Sequence, residues 1–404
     1  MEQSTSGQFV GDENSSREEE EVRSWGAGTE GQLGTGRLED ELSPQLIQFP
    51  SADSITQLAC GGAHAIALTS NGKVLTWGRG TSGQLGHGEM VNVLKPKMVE
   101  SLKSLVIVHV AAGWNHSGFV TDTGLLYTCG DGSFGQLGHG DFQSHCSPKA
   151  VSYFNSKHVV QIACGMRHSI ALVKGENEGD KLYAFGSGRR GQLGVSDEKL
   201  KSVNEPRATL GLEGVQISRL CACGDHSAAL STDGELYIWG RGFGGRSDVY
   251  IPQHINTGLC FAQVCLGWNH ALLLTGDGEV YMLGCHRHEN SIKHLSDKVN
   301  YKDVALERVN TGSTQVLQIA SGAEHSAIVT EGGEILAWGW GEHGQLGFGN
   351  TSDETTPRRV SICSKATNER TSPRVYCGSG FTYAVKCLSL YQEMHKNMLQ
   401  TLIG

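Results

Sequence analysis

Seven strand-like runs end in an aromatic residue, an apolar residue or, once, a Cys followed by Gly, at Gly26, Gly78, Gly130, Gly186, Gly240, Gly284 and Gly339. The intervals are 52, 52, 56, 54, 44 and 55 residues. Self-similarity at roughly 50 residues is the mark of a propeller or solenoid, in which each unit buries its apolar faces only against its neighbours. Function must then be sought where the chain departs from the repeat.

Upstream of these strands a small-residue turn with a His recurs. It reads Cys60-Gly61-Gly62-Ala63-His64, Ala112-Gly113-Trp114-Asn115-His116, Cys164-Gly165-Met166-Arg167-His168, Cys223-Gly224-Asp225-His226, Leu266-Gly267-Trp268-Asn269-His270 and Ser321-Gly322-Ala323-Glu324-His325. Six units are complete, whereas Trp25-Gly26 lacks a His half before it and Cys377-Gly378 lacks a Trp-Gly after it. An open solenoid leaves its ends frayed or capped, while a ring lets two orphan halves share one sheet. The pattern predicts an all-β, seven-bladed β-propeller over residues 22–387, closed by pairing of the N- and C-terminal segments. Turns such as Ser70-Asn71-Gly72 and Thr232-Asp233-Gly234 suit tight hairpins between short antiparallel strands. Five units also carry Gly-Gln-Leu-Gly, starting at residues 31, 83, 135, 191 and 344.

The ordered set Cys-Gly-x-x-His, Asp-Gly-x-x-Tyr-x-Trp-Gly and Gly-Gln-Leu-Gly resembles the regulator of chromosome condensation repeat family. The resemblance spans residues 22–387 and implies the same closed seven-bladed ring. It also implies two activities: guanine-nucleotide exchange on Ran through one propeller face, with chromatin held partly by a basic tail, and UV-B reception by plant members. The second relies on Trp in Gly-Trp-x-His motifs of consecutive blades, flanked by Arg at a homodimer face. Here that motif occurs only at Trp114 and Trp268, three blades apart, with Asn115 and Asn269 in place of Arg. At roughly 150° round a seven-fold ring, the two indoles are not expected to form such a cluster.

Outside the ring, residues 1–21 read as an acidic disordered tail and residues 388–404 as a short C-terminal helix with Tyr391, Met394, Met398 and Leu402 on one face. No secretory, transit or membrane-spanning pattern is seen, so membrane insertion is not expected. Net charge −9 with few clustered cations argues against direct nucleic-acid binding. Cys60, Cys164, Cys223 and Cys377 share a slot filled elsewhere by Ala, Leu or Ser, as small buried residues do, which suggests a reduced intracellular protein in the cytoplasm or nucleus.

Several chemistry-like motifs dissolve into the repeat. Gly-x-Gly-x-x-Gly, as at residues 78–83, precedes turn residues rather than a helix, so nucleotide binding is not expected. His64, His116, His168, His226, His270 and His325 occupy equivalent places and read as structural hydrogen-bonding groups within each blade. Cys285, His286, His288 and His294 form the one local cluster of ligand-like residues, but their spacing fits no structural zinc signature and a diverged surface loop is the favoured reading. No nucleophile, base and acid set can be assembled, and no cofactor is implied. The chain therefore reads as a protein-binding propeller, with exchange on or regulation of a small GTPase as the leading activity. A non-catalytic scaffold or adaptor is the alternative, and a UV-B photoreceptor ranks last. The candidate partner-binding residues are Trp114, Trp268, Asp225, Phe243, Arg246, His286 and His288, most of them where the repeat decays between 241 and 295.

Overall fold

Four short runs per repeat, separated by Gly, Asn and Asp turns, fold into one antiparallel sheet each. The structure, a computed structural model, describes residues 19–50, 53–175, 179–196, 200–243, 247–284, 298–301, 304–362 and 372–388. Blade 1 is Ile55–Cys60, His64–Thr69, Val74–Gly78 and Val93–Met98, paired in that order. Its second and third strands are buried throughout, because neighbouring blades cover both faces of the sheet. Blades 2 to 6 span residues 107–150, 159–208, 217–254, 261–308 and 316–359. Blade 5 carries a fifth strand, Lys298–Tyr301, on the edge of Val304–Arg308.

The two orphan halves meet in blade 7, with strand order Glu41–Ile47, Glu19–Gly26, Phe381–Leu388 and Arg374–Cys377. Glu19 to Gly26 pairs residue by residue with Leu388 back to Phe381. The first strand starts three residues before the expected boundary at residue 22, so Glu19, Glu20 and Glu21 belong to the sheet. Glu20 explains the extension: its carboxylate accepts the Ile55 N–H at 2.6 Å and pairs with Arg374 at 3.2 Å, tying blade 7 to blade 1. Residues 1–18, and the helix expected beyond Leu388, lie outside the described residues.

The hydrophobic core is divided into seven clusters, one in each gap between blades. Trp25, Trp77, Cys129, Phe185 and Trp239, the residues that precede the repeating Gly, are fully buried there. Each is covered by the Gly-Gln-Leu-Gly loop of the preceding blade; a side chain on Gly34 would strike Trp77 Nε1 at 2.9 Å. The repeating Gly itself is imposed by its backbone. Gly78 has φ +99° and its absent Cβ would lie 2.6 Å from Ala63 O, at the turn that precedes His64.

A second seam joins the innermost strands. Gln57, His109, Gln161, Arg219, Gln263, Gln318 and Arg374 occupy one slot in the seven first strands. Gln57 donates to Val110 O at 3.0 Å and accepts from Val110 N at 3.2 Å, so its amide acts as a strand residue toward the next blade. Gln161, Gln263 and Gln318 repeat this, and Arg374 donates to Thr56 O at 3.0 Å.

Candidate protein-binding face at the channel mouth

Because the strands alternate in direction, the turn after each first strand and the loop after each third strand emerge on the same face. The seven turns encircle a cavity of about 200 Å³ on the propeller axis, lined by residues of every blade. Their backbones form a nearly continuous ring: Gly62 N donates to Gly113 O, Trp114 N to Gly165 O, Met166 N to Gly224 O, Trp268 N to Ala323 O, Ala323 N to Ser379 O and Ser379 N to Gly61 O, at 2.8 to 3.1 Å. One step, from blade 4 to blade 5, is made differently. The turn of blade 4 is one residue shorter, and His226 Nε2 donates to Trp268 O at 2.8 Å in its place.

The ring is narrow, and this overturns one sequence expectation. Seven backbones spaced at roughly 5 Å give a mouth about 11 Å across, which two indoles can span. Trp114 and Trp268 meet there with ring centroids 5.3 Å apart at 40°, although they are three blades apart. On a wide circle three blades would keep the two indoles apart; near the axis, angular separation translates into little distance. Both are half-buried.

The six His were expected to bond within their own blades; each instead bonds to the next blade through Nε2. His64 Nε2 meets Ser117 Oγ, His116 meets Ser169 and His168 meets Ser227, each at 2.9 Å. His270 reaches Ser326 at 3.0 Å and His325 reaches Thr382 at 2.9 Å. The hydroxyls donate onward to the Gln carbonyl of Gly-Gln-Leu-Gly: Ser117 to Gln84 O at 2.7 Å, Ser169 to Gln136 O and Ser227 to Gln192 O at 2.8 Å. A hydroxyl that gives its proton to a carbonyl must accept from the imidazole, so Nε2 carries the hydrogen. Burial holds His64 and His168 at about 3 and His116 at about 4, and these rings are neutral at pH 7.

The exceptions are paired. Phe381 replaces His in blade 7, and the hydroxyl it would have met in blade 1 is Ala65. Tyr383 takes over that Gln carbonyl, donating to Gln32 O at 2.5 Å while accepting from Trp77 Nε1 at 2.8 Å. His226 lacks its hydroxyl because blade 5 has Ala271; it stacks on Phe243 at 4.2 Å and 5° instead. Phe243 is thereby buried, 8% exposed, and offers little to a partner.

The channel walls hold thiols. Burial pushes Cys221 up to about 11 and Cys164, Cys223 and Cys377 up to about 12, and holds Cys60 well above its ordinary value. Such groups are protonated at neutral pH and poor nucleophiles. Among the described residues no group of three or more His, Cys, Asp or Glu is placed to hold a metal ion. Asp225 is half-buried at the mouth, with its carboxylate 3.0 Å from Gln192 Nε2. Arg246, Cys285, His286, His288 and His294 lie outside the described residues.

The motif order, closed ring and channel-mouth turns agree with a match to the RCC1-like domain over residues 21–384. The chain belongs to the RCC1-like family. This RCC1-like propeller is 31% identical over 337 residues to the ultraviolet-B receptor UVR8 of Arabidopsis thaliana, covering 81% of this chain and 74% of that protein. It is 32% identical over 366 residues to the secretion-regulating guanine nucleotide exchange factor of Bos taurus, covering 83% and 77%. Prp20p of Saccharomyces cerevisiae, whose crystal structure was studied with its binding properties to Gsp1p and histones, superposes with a TM-score of 0.74 at 23% identity, covering 95% of this chain and 94% of that one. That likeness concerns the fold. Among the described residues no helix is long and apolar enough to cross a membrane.

Proposed function

We propose that this RCC1-like propeller recognises another protein through its channel-mouth face, and that the partner is a small GTPase whose nucleotide exchange it regulates. The carrying observation is the half-buried Trp114 and Trp268 pair over the channel, a paired aromatic anchor of the kind that dominates interface energetics. Exchange needs no nucleophile or metal from the exchange factor, only a shaped surface that favours the nucleotide-free GTPase. That suits a face whose His64, His116 and His168 are neutral and engaged and whose thiols are protonated. The identity to a secretion-regulating exchange factor over most of both chains supports the same reading. Action inside the cell, in the cytoplasm or nucleus, goes with it.

The test is release of labelled GDP from a panel of small GTPases. Acceleration of one member by micromolar protein, lost in Trp268→Ala, is expected. No acceleration, with a stable partner recovered by affinity capture, would sink exchange in favour of the adaptor reading. UV-B reception is disfavoured by Asn115 and Asn269 beside the two Trp, and the elution volume should be the same before and after UV-B illumination.

A further inference from the structure

We infer that the sector of the channel-mouth face formed by blades 3 and 4 receives an acidic segment of the protein partner. This rests on that face being the partner face, and goes further by stating what the partner must present. Four Arg sit on three adjoining loops of this face. Arg167 lies on the first turn of blade 3, Arg189 and Arg190 on its later loop, and Arg241 on the corresponding loop of blade 4. Backbone hydrogen bonds hold these loops side by side: Ser187 N to Arg167 O at 2.7 Å, Met166 N to Gly224 O at 2.8 Å and Arg241 N to Asp225 O at 2.9 Å.

Among the described residues of these loops, Arg167, Arg189, Arg190 and Arg241 face the carboxylates of Asp131, Asp225 and Asp248, and a single Arg is in an ion pair. Arg190 pairs with Asp248 at 3.1 Å. Arg167, Arg189 and Arg241 are exposed and make no ion pair among the described residues. The carboxylates nearby are already engaged: Asp131 by Ser133 and Gln136 at 3.1 Å, Asp225 by Gln192 at 3.0 Å, and Asp248 by Arg190. The Arg167 guanidinium lies over the Phe134 ring at 4.9 Å, which orders the side chain before any ligand arrives.

Two features choose the occupant. Guanidinium forks bind carboxylates bidentately, so an acidic stretch satisfies three free forks without competing for Asp225 or Asp248. The Trp pair borders the sector, since Trp268 Cδ1 lies 3.2 Å from where a Gly224 side chain would start. A segment of carboxylates with one apolar residue would seat its charges on the Arg and its apolar group on the indoles. Nucleic acid fits less well, because its affinity is built from many phosphate contacts and the described part of this sector offers three Arg outside ion pairs.

The probe is a short fluorescein-labelled peptide of Glu with a central Leu, titrated with the full chain by anisotropy beside its Lys counterpart. The Glu peptide is expected to bind at least about tenfold tighter than the Lys peptide and to weaken about tenfold when salt shortens the screening length from roughly 10 to 3 Å. The variant Arg189→Glu with Arg241→Glu should lose about tenfold or more for the Glu peptide and gain the Lys peptide, a gain that a misfolded variant cannot produce. Equal binding of both peptides, no effect of the reversal, or tighter binding of oligothymidylate would each overturn the inference. So would self-association that the same reversal abolishes, which would make the occupant a second copy of the chain. If no GTPase responds yet the Glu peptide binds as described, exchange fails and the acidic partner stands; if exchange is unaffected by the reversal and the peptide does not bind, the opposite holds.

Discussion

Ser169 Oγ accepts the Nε2 hydrogen of His116 and gives its own to Gln136 O, so one hydroxyl joins the turn of one blade, the strand of the next and the loop between them. Ser169→Ala should cost about 1 to 3 kcal/mol, the price of leaving a buried donor and a buried acceptor unmet. The pair His116→Phe with Ser169→Ala, which copies the Phe381 and Ala65 arrangement, should cost less than the sum of its single changes; additive losses in urea unfolding would contradict the coupling. The same His set a pH dependence. In the unfolded chain they take up protons near 6.5, while the folded rings of His64, His116 and His168 stay neutral down to about 3 to 4. The unfolded state binds more protons throughout that window, so stability should fall as pH drops from 6.5 towards 4, and a urea midpoint that is level from pH 7 to 5 would count against it. The equivalence of the six His was legible in the sequence. Their partners were not, because a residue one repeat away becomes a neighbour only when the blades are stacked.

At the scale of elements, closure depends on one strand. Glu19–Gly26 lies between Glu41–Ile47 and Phe381–Leu388, and Trp25 Nε1 donates to Gln345 O of blade 6 at 2.9 Å. Trp25→Ala should cost about 3 to 5 kcal/mol, as for other fully buried large side chains. Deleting residues 19–26 should raise hydrogen exchange first in residues 374–388 and 41–47; protection there equal to wild type would refute the closure argument. The need for this strand was readable from the two unmatched halves. Its true start at Glu19 was not, because an acidic run reads as tail until Arg374 and the Ile55 N–H are set beside Glu20. The Gln and Arg seam between first strands was readable in principle, since the slot is long and polar in all seven units, but its purpose needs the neighbouring backbone.

For the molecule as a whole, both described chain ends, Glu19 and Leu388, leave blade 7 on the face away from the channel mouth, since Gly26 and Phe381 mark the mouth end of the same pair. Neither described chain end therefore crosses the mouth. Trp114→Ala or Trp268→Ala should lower partner affinity about tenfold or more, in the range of an aromatic hot spot, with a midpoint of thermal unfolding within a few degrees of wild type. Calorimetric titration beside a melting curve checks this, and an unchanged affinity would move the partner site elsewhere.

By itself the sequence determined the ring: the period, the number of blades and the closing strand all follow from self-similarity, which is a property of order along the chain. Only the tertiary structure decided which departures from the repeat come together. Trp114 and Trp268 are far apart in sequence and in angle, yet they touch because all seven turns converge on one narrow mouth, and Arg167, Arg189, Arg190 and Arg241 share a sector because adjacent turns are bonded to each other. Distances across the axis are set by packing of the blades, and no local pattern encodes them.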